Sequence, residues 1–374
     1  MKITADKNIL WVKECFSKHG EIQLLDGREI TRERIIDTDA LLVRSITQVD
    51  ENLLNGTNVK FVGTATIGDD HIDKDYLNSR GIYFTNAKGC NAEAVTEYVF
   101  TALSLLAHEN GLNLKDKSIG VIGVGNIGSR VAAAAKALGM KVVKNDPPLK
   151  DETKSDEFSE LQDALQCDIV TLHVPLNVGG KYNTYHLLNE CNIHSLKDGT
   201  ILINASRGSV VDNKALLKYL KSSTQKILTV IDVWENEPNI NKELMKLVDI
   251  ATPHVAGYSL EGKINGTKII YKKFCDYFSE PPLWKAEYPD IEDPVIRLES
   301  STLDSQLFRI FSKIYDIKSE SNLLKSVADS DNIGEAFDSM RNNYKFRREL
   351  KNYKIEGTVE EPLDKFIKTI LSFE

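Results

Sequence analysis

The string Gly123-Val124-Gly125-Asn126-Ile127-Gly128 spaces three glycines as G-x-G-x-x-G. Alone this is weak, because ordinary tight turns also collect glycines. Its setting is more specific: the apolar run Ser118 to Ile122 precedes it, and a helical pattern opens at its end and continues through Leu138. There the first glycine makes the turn, the second lets a pyrophosphate approach the backbone, and the third lets helix and strand pack closely. Backbone N–H groups at the helix start, Asn126 and Ile127 among them, suit phosphate oxygens. Asp146 ends the next apolar run, 18 residues after the last glycine. A carboxylate at that point accepts from the adenosine ribose hydroxyls and repels a 2′-phosphate, so the pattern predicts NAD rather than NADP.

Three further polar clusters follow later apolar runs: Asn204-Ala205-Ser206-Arg207-Gly208 after Ile201, Asp232 to Pro238 after Ile227, and Thr252-Pro253-His254 after Val248 to Ala251. Ligands of open α/β sheets bind at the carboxyl ends of the strands, so these loops could face one cleft. Arg207 offers a planar fork suited to a carboxylate, Glu237 an anion, and His254 a base that titrates near neutrality. Singly, each also reads as a surface salt bridge or a satisfied histidine. Alongside a dinucleotide fingerprint they read as one site.

The elements that must position these residues follow from periodicity. Leu41 to Val43, Phe61 to Gly63 and Ile82 to Phe84 are short apolar runs separated by helical stretches at Asp50 to Leu54 and Asp73 to Ser79. That rhythm predicts buried parallel strands in βαβ units. Val95, Tyr98, Val99, Ala102, Leu105 and Leu106 recur at helical spacing between Glu93 and Leu106. A second series of strands is predicted at 118–122, 141–143, 169–172, 201–204 and 227–232. Gly262 to Phe278 is helical and ends before Pro281-Pro282. Beyond it, Leu303, Leu307, Ile310, Phe311 and Ile314 mark an amphipathic helix, and Arg341 to Arg348 is a basic run with Tyr344 and Phe346 interleaved, read as a solvated or interface face.

Composition limits the alternatives. The 374 residues suffice for two or three domains, and 41% hydrophobic with 27% charged residues is ordinary for folded globular chains. A net charge of −8 offers no global attraction to nucleic acid or anionic lipid. Cys15, Cys90, Cys167, Cys191 and Cys275 are scattered, which suggests neither a disulfide framework nor a metal site. Acidic Asp6 interrupts the start before any signal-like apolar stretch, and no apolar run reaches membrane-spanning length. Cytoplasmic residence is the expectation.

In order and type, the glycines, the ribose aspartate and the Arg207, Glu237, His254 set resemble the D-2-hydroxyacid dehydrogenases over about residues 40 to 280. The resemblance implies two Rossmann-like doubly wound parallel-sheet domains. It also implies that Arg207 binds the substrate carboxylate and carbonyl, that His254 takes the hydroxyl proton, and that Glu237 pairs with His254. The chemistry agrees, since a neighbouring carboxylate favours the protonated imidazole and a guanidinium steadies an oxygen that becomes a carbonyl.

Several strings resemble one branch of that family more closely: Val43-Arg44-Ser45, Gly63 to Gly68, Gly89-Cys90-Asn91-Ala92, Asp146-Pro147-Pro148, the run His254 to Lys263, Phe337 to Tyr344, and Arg347-Arg348-Glu349. This resemblance implies 4-phospho-D-erythronate as the small-molecule substrate and a C-terminal α+β dimerisation domain, hence a homodimer. The implied division is 1–94 for the first segment of the substrate-binding domain, 95–256 for the NAD-binding Rossmann domain, 257–282 for a return helix and 283–374 for the dimerisation domain. Ser45, Thr66 and Tyr258 are implied substrate contacts, and Asp232 and Gly257 are implied neighbours of the nicotinamide. Arg44 suits a phosphate dianion, with a structural ion pair as the other reading. Val174 departs from a threonine common at that position, which leaves a backbone contact to the cofactor. The tail from Tyr353 to Glu374 matches no pattern. Two rivals stand beside this reading: a dehydrogenase of another acid such as 3-phosphoglycerate, and an NADH-sensing corepressor, which would carry a long disordered tail.

Overall fold

The computed structural model describes residues 1–299 and 301–373; Ser300 and Glu374, both inside the expected C-terminal domain, lie outside them. The chain divides into two compact units, Met1–Asn91 with Ser259–Ile291, and Ala92–Tyr258 with Glu292–Glu374.

The first unit is built on β1 (Lys2–Asp6), β2 (Glu21–Leu25), β3 (Ala40–Val43), β4 (Phe61–Thr64) and β5 (Tyr83–Asn86), in the all-parallel order β2-β1-β3-β4-β5. This is a doubly wound order. The central strands β3 and β4 are buried along their whole length, whereas edge strand β2 is mostly open, which is why the central runs are continuously apolar. Ser259 caps the helix Leu260–Phe278 by accepting from the Gly262 N–H at 2.8 Å. That helix buries Ile270, Tyr271 and Phe274, with Phe274 edge-on to Phe16 and Phe61 at 5.1 and 5.8 Å. The chain leaves the helix at the prolines but stays with this unit. Trp284 meets Trp11 and Tyr271 edge-on, and the Tyr271 hydroxyl accepts from the Leu283 and Trp284 N–H groups. The change of unit therefore falls near Ile291 rather than at residue 282.

The second unit contains β6 (Ser118–Ile122), β7 (Lys141–Asn145), β8 (Ile169–Leu172), β9 (Ile201–Asn204), β10 (Leu228–Ile231) and β11 (Ile250–Ala251), again all parallel, in the order β11-β10-β9-β8-β6-β7. A single parallel bridge from Lys144 to Phe158 adds a rudimentary strand beyond β7. Counted with it, the order is that of a dinucleotide-binding sheet with one further strand.

The C-terminal segment contributes the parallel pair β12 (Val295–Leu298) and β13 (Lys354–Gly357) and four helices, Leu303–Ile314, Ile317–Ser326, Ile333–Asn342 and Glu361–Leu371. It is the expected C-terminal α+β domain, and it belongs to the second compact unit. Phe311 and Phe366 pack on Phe100 of the helix Ala92–Asn110, at 6.5 and 4.8 Å between ring centres. They share one core with Ile119 and Val121 of β6. Leu324 and Phe337 join the core over the other face, with Leu172, Leu202 and Ile231. The stripe Leu303 to Ile314, inside the expected dimerisation domain, is thus buried against its own chain. The unassigned tail is also built in, since Leu363, Phe366 and Ile370 are buried.

Candidate active site

Gly123 has φ +86°, and a side chain there would strike the backbone of His173 at 2.8 Å, so both conformation and packing demand glycine. Gly128 sits under the Gly123 carbonyl, 1.8 Å from where a Cβ would stand. Gly125 differs: a Cβ would meet nothing within 4 Å, and its φ is unremarkable. Nothing inside the protein calls for glycine there, whereas a phosphate lying against the backbone does. The residues present fit a bound dinucleotide. Asn126 and Ile127 complete the turn ahead of the helix Gly128–Ala137. Val174 presses its Cγ1 towards Gly123.

Asp146 is bonded into this turn. Its Oδ2 accepts from the Val124 N–H at 2.7 Å and its Oδ1 from the Leu149 N–H at 3.1 Å, capping the helix Pro147–Thr153. A carboxylate has about four lone-pair positions, so acceptor capacity remains for ribose hydroxyls.

At the ends of β9, β10 and β11 the three polar loops are joined by bonds within the second unit. Gly208 lies against the Trp234 carbonyl so closely that a Cβ would stand 1.9 Å from it, which puts the Arg207 loop on the Glu237 loop. The Trp234 indole N–H donates to the Thr252 carbonyl at 3.0 Å, joining the Glu237 loop to the His254 loop. Asn204 fixes the start of the Arg207 loop by accepting from the Ser206 hydroxyl at 2.9 Å and donating to the Arg207 carbonyl at 3.0 Å. Arg207 donates to the Ser206 carbonyl at 2.8 Å. Glu235 is braced by His186 at 2.7 Å and by the Asn213 N–H at 2.9 Å.

The expected pair is formed: His254 Nδ1 lies 2.7 Å from Glu237 Oε2, while Glu237 Oε1 accepts from the Trp234 N–H at 2.8 Å. Burial alone would raise the Glu237 carboxyl. The His254 charge and hydrogen bond, the Trp234 N–H and the Arg341 charge outweigh it and hold the group below the ordinary glutamate value. The His254 side chain is one-third exposed, and among the described residues no protein group bonds its Nε2. That nitrogen can take a proton from a ligand.

Asp232 does more than cap a turn. It is buried, its Oδ1 accepts from the Thr252 hydroxyl at 2.6 Å and the Val255 N–H at 2.8 Å, and its Oδ2 from the Ala256 N–H at 3.0 Å. Burial raises its pKa despite the His254 charge and these donors. Gly257 follows in the same turn, closed by a Tyr258 N–H to Val255 carbonyl bond at 2.8 Å.

In the first unit Arg44 follows β3 and Thr66 follows β4, with Ser45 exposed at the tip. Arg44 Nε donates to the buried Asp6 carboxylate at 2.9 Å. The structural ion pair exists, and among the described residues the terminal guanidinium nitrogens carry no protein acceptor, so it leaves a phosphate role open. The Thr66 hydroxyl lies 2.7 Å from the Thr64 hydroxyl and donates to the Gly68 carbonyl.

Three residues were not foreseen in these roles. His173 is neutral, burial pushing its ring down to about 3. Arg341 donates to the Tyr258 hydroxyl at 3.2 Å. Arg347 is buried and donates to the carbonyls of Val255, Ala256 and Tyr258, so the basic run is not simply a solvated face. Interleaved aromatics and charges gave that reading; Tyr344 and Tyr315 instead line the side chain's path inward.

Residues 95–256 match the family of the D-isomer specific 2-hydroxyacid dehydrogenase, NAD binding domain, and residues 289–369 match a domain of unknown function (DUF3410). The erythronate-4-phosphate dehydrogenases of Proteus mirabilis and Cronobacter sakazakii are each 44% identical, covering 95% of this chain and 94% of theirs. That of Yersinia pestis is 42% identical over 93% of both chains. Among solved structures, the Aquifex aeolicus D-lactate dehydrogenase complexed with NAD and lactic acid is 25% identical at TM-score 0.60, covering 75% of this chain and 96% of its own. The NAD-bound 3-phosphoglycerate dehydrogenase of Entamoeba histolytica is 25% identical at TM-score 0.63, covering 75% and 95%. The chain belongs to the erythronate-4-phosphate dehydrogenase family, a branch of the D-isomer specific 2-hydroxyacid dehydrogenases. Its nucleotide-binding domain is an NAD-binding one.

Two outcomes follow from the glycine turn. Gly125→Ala should leave the urea unfolding free energy within about 0.5 kcal/mol of the parent, as for a substitution that meets no neighbour, and weaken NADH binding about tenfold or more, read by fluorescence titration. Equal NADH affinity would show that nothing lies against Gly125. Asp146→Asn should narrow the preference for NAD over NADP by about tenfold, roughly the effect of removing one charge repulsion near a phosphate; an unchanged ratio would place the discrimination elsewhere.

Proposed function

We propose that this protein oxidises 4-phospho-D-erythronate at C2 to (R)-3-hydroxy-2-oxo-4-phosphooxybutanoate, with NAD as acceptor, as a step of pyridoxine and pyridoxal 5′-phosphate synthesis in the cytoplasm. The observation that carries the chemistry is the His254–Glu237 pair at 2.7 Å with the far ring nitrogen open to a ligand. The name carried by relatives at 42–44% identity supports the substrate. Those relatives cover so much of the chain that the C-terminal segment must be included, whereas the lactate and 3-phosphoglycerate enzymes cover only three quarters of it.

In this mechanism the bound nicotinamide supplies the hydride acceptor, and the protein's residues do the rest. His254 Nε2 takes the hydroxyl proton while the C2–H bond is broken with its electron pair, and C2–O becomes a carbonyl. Glu237, held anionic, balances the imidazolium that forms. Arg207 binds the substrate carboxylate and steadies the developing carbonyl oxygen. Arg44 takes the terminal phosphate, and Ser45, Thr66 and Tyr258 complete the substrate contacts. Asp232, Val174 and Gly257 line the nicotinamide side. The protein acts as a homodimer through its C-terminal segment. Because the stripe from Leu303 is internal, exposed Leu323 and Leu371 are the better contact candidates.

The test is NADH formation over a panel of 2-hydroxy acids: 4-phosphoerythronate should be turned over, with erythronate, D-lactate and 3-phosphoglycerate far behind. Turnover of 3-phosphoglycerate at equal kcat/KM, or NADH binding without turnover of any acid, would overturn the reading. His254→Ala should lower kcat by roughly two to four orders of magnitude, the range of general acid–base catalysis, with NADH affinity little changed. Glu237→Gln should be milder. Removing the negative partner takes away the charge that balances the imidazolium formed during proton transfer, so kcat should fall while NADH affinity is little changed. An unchanged kcat would contradict the pairing.

A further inference from the structure

The turn that carries His254 ahead of it is held on one side by Asp232, which takes the N–H groups of Val255 and Ala256. The carbonyls of the same turn are taken by a single side chain from the C-terminal segment. Arg347 Nη1 donates to the Val255 carbonyl at 3.1 Å, to the Tyr258 carbonyl at 3.4 Å and to the Tyr344 hydroxyl at 3.1 Å. Its Nη2 donates to the Ala256 carbonyl and to the Ala94 carbonyl at 3.1 Å. The residue is only 7% exposed, and its guanidinium carbon lies 4.5 Å from the Tyr315 ring centre.

Burying a guanidinium costs several kcal/mol unless its donors are matched, and an apolar side chain would fill the same volume without that cost. What the guanidinium adds is direction: five donors in a rigid plane that can meet several carbonyls at once, which an ammonium cannot. Most of the carbonyls it meets lie within four residues of the catalytic histidine, and the remaining one, of Ala94, begins the helix Ala92–Asn110. The neighbouring residues fasten the same strip of chain: the Leu350 N–H donates to Glu97 at 2.8 Å, and Lys351 pairs with Glu93. His254 itself stands at φ +58°, a left-handed conformation that a histidine adopts only when its surroundings impose it.

We infer that Arg347 is a positioning residue for the proton-transfer step, and that the C-terminal segment acts within its own chain as the clamp that keeps the His254 turn in its reactive conformation. The activity arm of its test rests on the proposed reaction; the exchange arm does not.

The experiment compares NADH-bound wild-type protein and Arg347→Lys by hydrogen exchange and steady-state kinetics. Lysine keeps the charge and cannot span the carbonyls. Expected are at least tenfold faster exchange in residues 254–258 with strands β6 and β9 unchanged, a kcat lowered about a hundredfold, the scale set by a small misplacement of a catalytic group, and NADH affinity within twofold. A folded variant with native exchange in 254–258, or with loosened exchange there and kcat within twofold of wild type, overturns the inference. Should the variant not fold, wild-type exchange in rising urea decides: residues 254–258 and 344–350 should lose protection at the same urea concentration. Opening of 344–350 while 254–258 stays protected would overturn it. Absence of wild-type turnover would count against the proposed reaction and leave both exchange results readable.

Discussion

The second unit depends on a carboxylate that never reaches solvent. Asp232 closes β10, and its two oxygens collect one hydroxyl and two backbone N–H groups from the residues that follow β11. Its own backbone carbonyl accepts from the His254 N–H at 2.8 Å. Bonds to a charged group are worth about 1.5–3 kcal/mol each, so three of them offset a burial penalty of several kcal/mol. Tyr98, itself buried, adds a fourth layer by meeting the Thr252 hydroxyl at 2.7 Å. Without this knot the segment after Pro253 would have no reason to hold a histidine at positive φ, since that conformation costs about 1–2 kcal/mol for a residue with a Cβ.

The same economy governs the other loops at that end of the sheet. Parallel strands deliver their loops to one edge, and the distances between loops are then set by whichever residue is small enough to permit contact. Gly208 permits it between the Arg207 and Glu237 loops, and the Trp234 indole N–H spans from there to Thr252. An arginine, a glutamate and a histidine from three different strand ends are therefore brought to one edge of the sheet by backbone contacts between their loops. Glu237 gives one oxygen to the Trp234 N–H and the other to His254.

Much of this was legible from residue types. The glycine fingerprint is local: its turn, its close approach and its helix lie within a dozen residues, so spacing carries the information. Asp146, Asp232, Glu237 and His254 were visible as polar residues at the ends of apolar runs. What escaped was set by distance or by disguise. The strand Lys2–Asp6 is short and bracketed by charges, yet it is central enough to be buried from Ile3 onward; its partner at Glu21–Leu25 lies at an exposed edge and shows no apolar rhythm. The β12–β13 pair joins segments more than fifty residues apart. Leu303 to Ile314 was correctly an amphipathic helix, but amphipathicity does not say whether the apolar face meets another subunit or the helix Ala92–Asn110. Arg347 looked like one charge in a basic run, because no periodicity distinguishes an arginine that bonds carbonyls 92 positions upstream from one that faces water.

That separation divides the two halves of the chemistry between different parts of the chain. The contacts that shape the nucleotide turn, Gly123 with His173, Gly128 with Gly123, and Asp146 with Val124, all lie before residue 175. The contacts that shape the His254 turn draw on Asp232 and on Arg347. Closing a loop of that length costs more conformational entropy than closing the local nucleotide turn. The lactate and 3-phosphoglycerate enzymes, aligned over nearly all of their own lengths, cover three quarters of this chain. Here the C-terminal segment is bonded to the residues just after His254. The segment is thus built into the turn that follows His254 and is not an appendage to the sheet that carries it.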